Sequence, residues 1–270
     1  MQTQKNVIVI IVQKENTVMI ATNNPPLVSV IIPAYNCEKY IENAINSALI
    51  QQVSLEIVII NDNSTDNTEQ VIQPYLKKHS NIRYMKNKKN LGASGSRNFG
   101  IQQAYGKYIA FLDADDWWES DKLKKQLEII EKENVVLCST ARALVNPDGS
   151  PMNKVIPVPN EITYKTLLKH NCINCSSVLV LKDVALEFPM EHEDSHEDYI
   201  TWLKILQKYG RAYGINEPLL NYRLRAQGKS GSKLKSAKMT FKVYRYMGFN
   251  FFKSILCFCS YAIHGIMKYL

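Results

Sequence analysis

Hydrophobic residues in the first half of the chain follow two alternating spacings. Short continuous apolar runs, typical of strands buried on both faces of a sheet, occur at 28–32, 55–60, 82–85 and 107–112. After each run, hydrophobic residues recur at helical spacing and predict helices that begin near Ile41, Asp66, Gly92 and Ser120. Because strand and helix alternate four times, the pattern predicts an α/β fold with a mostly parallel sheet and right-handed crossovers.

Two of these helices have predicted caps. Asp66 followed by Glu69 matches a capping box, and Ser120 is a candidate N-cap for the helix after it. The second half of the chain is less regular. Strands are predicted at 135–143, 177–181, 211–216 and 219–224, and one helix is predicted from Asp198 to Tyr209. This half therefore indicates a mixed α+β addition to the first.

The last 53 residues differ from the rest of the chain in their charge. Between Pro218 and Leu270 there are ten Lys and Arg residues and no Asp or Glu, while the whole chain has a formal net charge of +8. Aromatic and apolar residues are interleaved with this charge, which favours an amphipathic helix lying on an anionic membrane surface over a nucleic-acid-binding tail. Packing of the same helix on the chain's own core or on a second subunit is the alternative. The sequence leaves the oligomeric state open.

No segment is predicted to span a membrane. The longest uncharged stretch of the tail is 254–267, shorter than the roughly 20 residues that a spanning helix needs. The runs 7–12 and 17–21 have the pattern of a hairpin, and no secretory signal is evident. The six cysteines are accordingly expected to be reduced thiols in the cytoplasm.

Polar clusters follow three of the predicted strands, where an open parallel sheet binds its ligands. They are Tyr35-Asn36, Asp62 with Asp66, and the run Asp113, Asp115 and Asp116. Turns and helix caps account for Asp66 and Asn36. Three carboxylates within four residues repel one another unless a cation or water screens them. Hard oxygen ligands of this kind suit Mg²⁺ or Mn²⁺.

Five motifs in one order resemble the family 2 glycosyltransferases, which have the GT-A fold. They are 28–36, 62–66, 90–100, 111–116 and the later His196-Glu-Asp-Tyr199 followed by Trp202. The resemblance covers Leu27 to Arg223 and is strongest to enzymes that build bacterial capsule, teichuronic acid or O-antigen chains. It implies a GT-A domain at 27–224, with a Rossmann-like nucleotide-binding half and a mixed acceptor half. An N-terminal extension at 1–26 and a basic amphipathic helical tail at 225–270 would flank it.

The resemblance also implies an activity. A sugar would pass with inversion from a nucleotide-diphosphate sugar, a UDP-hexose or UDP-N-acetylhexosamine, to a hydroxyl of a lipid-linked or surface-polysaccharide acceptor. Asp198 would be the general base that deprotonates that hydroxyl. The enzyme would work at the cytoplasmic face of the inner membrane, with surface contact through 241–270 and no nucleic-acid partner. Met19 would be an alternative start that leaves the short lead usual in this family.

Further residue roles follow from the same resemblance. Tyr35 would stack on the uracil, Asp62 would accept its ring N–H, and Asp115 would bind Mn²⁺ or Mg²⁺ between the phosphates. The implied donor-binding residues are Pro33, Tyr35, Asn36, Asp62, Arg97 and Asp113. The implied metal ligands are Asp113 and Asp115, and the implied acceptor contacts are Glu197 and Trp202.

Several alternatives stay open at the level of sequence. Arg97 fits an ordinary salt bridge as well as a diphosphate contact, and Asp198 fits a first-turn helix carboxylate. Many relatives have Asp-Asp after the second strand where this chain has Asn61-Asp62. His192 to His196 matches the zinc-hydrolase pattern H-E-x-x-H, although five acidic neighbours make a poor zinc-binding helix. A non-catalytic nucleotide- or sugar-binding relative is the remaining possibility.

Overall fold

The computed structural model describes residues 25–224 and 233–267. Ten strands lie within them: β1 Val28–Ala34, β2 Leu55–Asn61, β3 Ile82–Lys86, β4 Tyr108–Phe111, β5 Trp117–Trp118, β6 Leu137–Val145, β7 Pro151–Ile156, β8 Glu161–Thr163, β9 Leu179–Leu181 and β10 Arg211–Arg223. They form one sheet in the order β3-β2-β1-β4-β9-β6-β10-β5, with β7 paired to β6 and β8 to β10. The helices are α1 Ile41–Leu49, α2 Thr68–Lys78, α3 Gly92–Gln103, α4 Lys122–Glu133, α5 Tyr164–Lys169, α6 Lys182–Glu187, α7 Glu197–Tyr209, α8 Lys233–Tyr246 and α9 Phe251–Met267. The hairpin predicted within 1–26 and the alternative start at Met19 lie outside the described residues.

The predicted parallel half is confirmed. β1 pairs in parallel with β2 and β4, and β2 pairs in parallel with β3. The second half is mixed, as predicted, because β9 runs antiparallel to both β4 and β6 while β10 runs parallel to β6. The carboxyl ends of β1, β2 and β4 therefore meet at one edge, where the three polar clusters of the sequence follow them.

Both faces of this sheet are covered by helices. On β1, Ile31 belongs to one hydrophobic cluster while Val30 and Ile32 belong to the other, as the alternation of strand side chains requires. α3 lies close against β1, because a Cβ added at Gly100 would come within 2.5 Å of Ile31 Cγ2. A residue larger than glycine at position 100 would push α3, including Arg97, away from the sheet.

The structure corrects several predicted boundaries. The two strands predicted at 211–216 and 219–224 are one strand, β10, whose register shifts on either side of Pro218. The capping box of Asp66 and Glu69 does not form. Asp66 instead accepts the backbone N–H of Thr68 at 3.0 Å, and Glu69 pairs with Lys86. Ser120 is not the cap of α4, whose N-cap position is Asp121.

In its described part, 233–267, the tail forms the two helices α8 and α9, which differ in exposure. On α8, Val243 and Tyr244 are fully buried, and the Tyr244 hydroxyl donates to Leu168 O at 3.1 Å. α8 thus packs on the chain's own core, which was the alternative to membrane contact. α9 contacts α5 through Tyr261 and His170, whose ring centroids are 5.5 Å apart, and turns an apolar side outward. None of the helices in the described parts of the chain is long and apolar enough to cross a bilayer.

A buried lysine gives the fold a testable pH dependence. The amine of Lys122 is fully buried, lies 4.0 Å from the Trp118 ring centroid and donates to Gln126 Oε1 at 2.7 Å. Burial lowers the pKa of Lys122 to about 7. Between pH 7 and 10 the unfolded chain therefore holds a proton that the folded chain has released, so the free energy of unfolding rises with pH in this window.

We predict that the difference in unfolding free energy between the wild type and Lys122→Met grows, in favour of the wild type, by about 1.4 kcal/mol per pH unit above pH 7. Urea unfolding at pH 7.5, 8.25 and 9 measures this difference. Lys124→Met, which removes an exposed lysine of the same helix, serves as the control and should show no such trend. A pH-independent difference for Lys122→Met contradicts the prediction.

Candidate functional site

The turn after β4 concentrates three carboxylates. Asp116 is buried, and its Oδ1 accepts the backbone N–H of Arg223 at 3.0 Å, while the Asp113 N–H donates to Ser176 Oγ at 3.1 Å. Burial raises the pKa of Asp116 well above its usual range, and the charges of Asp115 and Asp113 raise it further. Asp113 and Asp115 are half-buried and follow the carboxyl end of β4. Three carboxyl groups therefore lie close together at this turn, and the buried one is driven toward its neutral form.

The guanidinium of Arg97 joins this turn to α7. Its Nη2 lies 2.5 Å from Asp113 Oδ1 and its Nη1 lies 3.0 Å from Glu197 Oε1. Although burial acts to lower it, the pKa of Arg97 is raised by the charges of Asp113 and Glu197, so the side chain stays ionised. Arg97 thus forms salt bridges to two carboxylates, one half-buried and one buried.

Asp198 is the second residue of α7, directly after Glu197, and its carboxylate is half-buried. Its Oδ1 accepts the backbone N–H of Tyr199 at 2.8 Å. Burial raises the pKa of the Cys175 thiol, and the charges of Asp113, Asp198 and Glu197 raise it further against the effect of Arg97. The turn after β4, the middle of α3 and the first turn of α7 therefore lie around one buried thiol.

The ends of β1 and β2 supply the second part of the site. The Tyr35 side chain is 50% exposed directly after β1, whereas Asn36 is held inside the turn because its Oδ1 accepts the Thr65 N–H at 2.8 Å. Pro33 is a half-buried strand residue of β1. The Tyr35 ring is therefore the side chain of this motif that is available for stacking.

Asp62 and Asn61 are both buried and hold neighbouring loops. The carboxylate of Asp62 accepts the N–H groups of Leu91 and Gly92 at 2.8 and 2.9 Å, and that of Asn87 Nδ2 at 2.8 Å. Asn61 donates from Nδ2 to the Tyr84 hydroxyl at 2.8 Å, which an aspartate at this position is unable to do. The departure from Asp-Asp at 61–62 thus has a local structural reason, and Asp62 fixes the loop that begins α3.

Two predicted acceptor contacts are corrected. Trp202 is 1% exposed and packs on Phe111 with ring centroids 6.0 Å apart, so its ring does not line an open cleft. Glu197 is 4% exposed and is engaged by Arg97. Glu197 is covered by α3 and Trp202 by β4, and helical periodicity alone does not tell which neighbours cover a residue.

The zinc-hydrolase interpretation is wrong. His192 has a φ of 65° and stacks on Tyr246 at 3.7 Å between ring centroids, while His196 Nε2 lies 3.3 Å from Ser236 O. The two histidines are not presented from one helix face. Across the parts of the chain that the structure describes, no three His, Cys, Asp or Glu side chains are grouped to hold a metal ion by themselves.

Sequence reasoning gave no role to two residues at the Asp113–Asp116 turn. Ser176 accepts from Asp113, as described above, and Arg223 Nε donates to Asp115 O at 2.9 Å. The Arg223 guanidinium carbon lies 4.8 Å from the Tyr40 ring centroid and 5.0 Å from that of Trp117. Ser176 belongs to no spaced motif, and Arg223 enters only as the last residue that the family resemblance covers, so no spacing within the chain predicts these contacts.

The chain is similar in sequence to known glycosyltransferases. The model of the family "Glycosyl transferase family 2" matches residues 29–187. A putative teichuronic acid biosynthesis glycosyltransferase of Bacillus subtilis is 39% identical over 92% of this chain and 100% of its own length. A UDP-Glc:α-D-GlcNAc-diphosphoundecaprenol β-1,3-glucosyltransferase of Escherichia coli is 36% identical over 90% of this chain and 95% of its own.

Solved structures show the same fold. Staphylococcus aureus TarS 1–349 in complex with UDP-GlcNAc has a TM-score of 0.64 at 21% identity, over 81% of this chain and 65% of that one. A Pyrobaculum calidifontis mannosyltransferase in complex with GDP-Man and Mn²⁺ has a TM-score of 0.65 at 17% identity, over 83% of this chain and 65% of that one. These likenesses agree with the predicted GT-A architecture.

Removal of Arg97 should destabilise the fold, because it leaves buried carboxylates without their cation. We predict that Arg97→Met lowers the free energy of unfolding by about 3–5 kcal/mol. The free energy of unfolding of Arg97→Lys should lie between those of the wild type and Arg97→Met, since a single ammonium does not reproduce the two donor groups of a guanidinium. Urea unfolding measures both.

Lys208→Met provides the control for this experiment. It removes the exposed ion pair with Glu187, and the expected loss is at most about 1 kcal/mol. A loss for Arg97→Met no larger than that of Lys208→Met contradicts the buried-pair interpretation.

Proposed function

Because this chain belongs to glycosyl transferase family 2, we propose that it transfers a hexose or N-acetylhexosamine from a UDP-sugar to a hydroxyl of a lipid-linked or surface-polysaccharide acceptor, with inversion. The E. coli relatives support this donor and acceptor class, since the name of each describes transfer from UDP-Glc to a diphosphoundecaprenol-linked sugar. The match to each of them covers 90% of this chain and 95% of that relative's own length.

One observation carries the proposal. Arg97 binds Asp113 at the end of β4 and Glu197 at the start of α7, so the carboxylates assigned to the donor side and the acceptor side share one cation. In a one-step displacement, the base and the departing diphosphate act on opposite sides of the same carbon. A rigid link between their supports fixes the distance that such a reaction depends on.

On the donor side, the exposed ring of Tyr35 stacks on the base beside Asn36 and Pro33. Asp62 keeps one carboxylate acceptor position beyond its three N–H bonds, and this position accepts the ring N–H of uracil. Arg97 acts through Asp113 rather than on the diphosphate itself.

The turn after β4 fits a divalent cation held together with the donor. Mg²⁺ and Mn²⁺ bind through one or two carboxylates plus substrate phosphates, so a closed group of protein ligands is not needed. Asp115 and the remaining oxygen of Asp113 would hold the ion, in a turn whose negative charge already raises the pKa of Asp116. Such an ion supplies Lewis-acid stabilisation of the departing diphosphate.

On the acceptor side, Asp198 accepts the proton of the attacking hydroxyl. Its support is rigid, because Glu197 before it is bound to Arg97 and Tyr199 after it is fully buried. Trp202 acts as packing beneath this turn of α7 and not as a wall of the acceptor site. A carboxylate is a weak base, so fixed placement against the hydroxyl contributes most of its effect.

α9 supports contact with an anionic membrane at the cytoplasmic face, where a lipid-linked acceptor is presented. The side chains of Phe252, Leu256 and Ile263 are 79%, 71% and 58% exposed and lie on one helical stripe. The tail at 225–270 carries nine basic residues and no acidic ones. An apolar stripe bordered only by positive charge matches a leaflet of negative headgroups.

The donor site is tested by calorimetric titration with UDP, GDP and dTDP, each with Mn²⁺ and with EDTA. We expect micromolar binding of UDP that is lost with EDTA and weakened at least about tenfold in Asp115→Asn, because the carboxylate shares the ion with the phosphates. Asp183→Asn, an exposed carboxylate of α6, is the matched control and should bind normally. Absence of binding by all three nucleotides overturns the donor assignment.

The base is tested by turnover, measured as UDP release from UDP-glucose with a short-chain GlcNAc-diphospholipid as acceptor. Asp198→Asn is expected to lower kcat by at least about 100-fold, because general-base catalysis is removed. Its affinity for UDP with Mn²⁺ should stay within twofold of the wild type. Near-normal turnover of Asp198→Asn shows that the base is a different residue.

The surface contact is tested by sedimentation with phosphatidylglycerol-containing vesicles. We expect the wild type to bind these vesicles, to bind phosphatidylcholine vesicles weakly, and to be released by salt. The double variant Phe252→Ser, Leu256→Ser should stay in the supernatant. Ile50→Ser, which changes an apolar residue that is 57% exposed at the C-terminal end of α1, should bind normally. Dimerisation through α9 in solution without vesicle binding contradicts the membrane proposal.

A further inference from the structure

The loop at 190–196, which leads into Asp198, is held between two helices from distant parts of the chain. It follows α6 and ends where α7 begins at Glu197. Within it, the backbone N–H and the hydroxyl of Ser195 both donate to His192 O at 2.9 Å, and Ser195 is fully buried. The loop is therefore a compact turn, and its position decides where α7 starts.

α3 holds the loop from one side. Asn98 pairs with the backbone of Met190 in both directions, from Nδ2 to Met190 O at 2.7 Å and from Met190 N to Oδ1 at 2.9 Å. The carboxylate of Glu193 accepts the backbone N–H of Ser94 at 2.9 Å and also its hydroxyl. One turn along the same helix, Arg97 binds Glu197.

α8 holds the loop from the other side. The His192 ring stacks on Tyr246 with an interplanar angle of 6°, and the Tyr246 hydroxyl donates to both oxygens of Asp194 at 3.0 and 3.1 Å. Lys242 Nζ lies 2.5 Å from Asp194 Oδ2. Two residues one helical turn apart on α8 thus bind two residues of the loop.

The contact to α8 coincides with the strained point of the loop. His192 has a φ of 65°, which residues other than glycine rarely adopt and which persists only where the surroundings impose it. The stacked ring of Tyr246 is the contact at that residue. α8 is itself fixed to the core through Val243 and Tyr244, so it supplies a firm support.

We propose that α8 is a positioning element for the reaction, in which Lys242 and Tyr246 hold the 190–196 loop and thereby place Asp198. The inference rests on the proposed role of Asp198 as the base. It extends that role to the C-terminal tail, because α8 continues into α9, whose outer stripe is the proposed membrane contact. Neither Lys242 nor Tyr246 acts on substrate; both act through the loop.

The test uses the full chain with the double variant Lys242→Met, Tyr246→Leu. We expect kcat for UDP release with the short-chain acceptor to fall between about 10-fold and 100-fold, as for a misplaced catalytic group. The affinity for UDP with Mn²⁺, measured by calorimetry, should be unchanged. Lys238→Met removes the same charge from an exposed position one turn earlier on α8 and should leave kcat at the wild-type level.

A charge-swapped pair distinguishes a positioning role of the ion pair from a general loss of folded protein. Asp194→Lys alone and Lys242→Asp alone should each lower kcat, and the two together should restore most of it because the ion pair is rebuilt in reverse. A wild-type kcat in the double variant overturns the proposal, as does an equal loss of kcat and UDP affinity. Failure of the swapped pair to recover any activity also counts against it.

A second readout does not depend on turnover. Amide deuterium exchange in 190–199 should be faster in the Lys242→Met, Tyr246→Leu variant than in the wild type, while exchange in β1 and β4 stays the same. Unchanged exchange in 190–199 overturns the proposal. If the wild type and Asp198→Asn release UDP equally, the base assignment fails, and the exchange result still decides whether α8 holds the loop.

Discussion

The buried guanidinium of Arg97 is the interaction on which the site depends. Removing a charge from water costs free energy. The buried charge of Arg97 is tolerated because two carboxylates, Asp113 and Glu197, lie within 3.0 Å of it. Those partners are 16 and 100 residues away in sequence. The pairing therefore forms only when β4, α3 and α7 have all reached their final places, and it ties the completion of the fold to the assembly of the site.

A buried ion pair of this kind is weak evidence for stability as such, since apolar residues of similar volume often do as well. The contribution of this ion pair is to fix the position of α7 relative to the turn after β4. Asp113 sits in a turn that Ser176 and Arg223 also hold, and Glu197 precedes Asp198 on α7. An apolar pair in place of Arg97 and Glu197 would fill the space and would leave the first turn of α7 free to slide relative to the turn after β4.

The parallel half of the fold was predictable because its signal is local. Continuous apolar runs such as 28–32 need both faces buried, and the polar residues that end them mark the binding edge. The burial of Trp202 and Glu197 was not predictable, because the spacing of an amphipathic helix gives its faces but not their neighbours. The roles of Asn61, Ser176 and Arg223 were missed for a related reason. Each depends on a partner brought close by the sheet, such as Tyr84 for Asn61.

The tail shows how one segment can serve two requirements. Its charge pattern indicated a surface helix, and α9 fits that description, yet α8 buries Val243 and Tyr244 against the core. A tail that only bound lipid would not need to pack against the core beside the 190–196 loop. A tail that only completed the core would have no need of an outward stripe of Phe252, Leu256 and Ile263. α8 carries both connections, since Lys242 and Tyr246 bind the 190–196 loop while the next helix, α9, presents the outward stripe. In the proposed arrangement, α8 therefore links the membrane-facing helix to the loop that precedes Asp198.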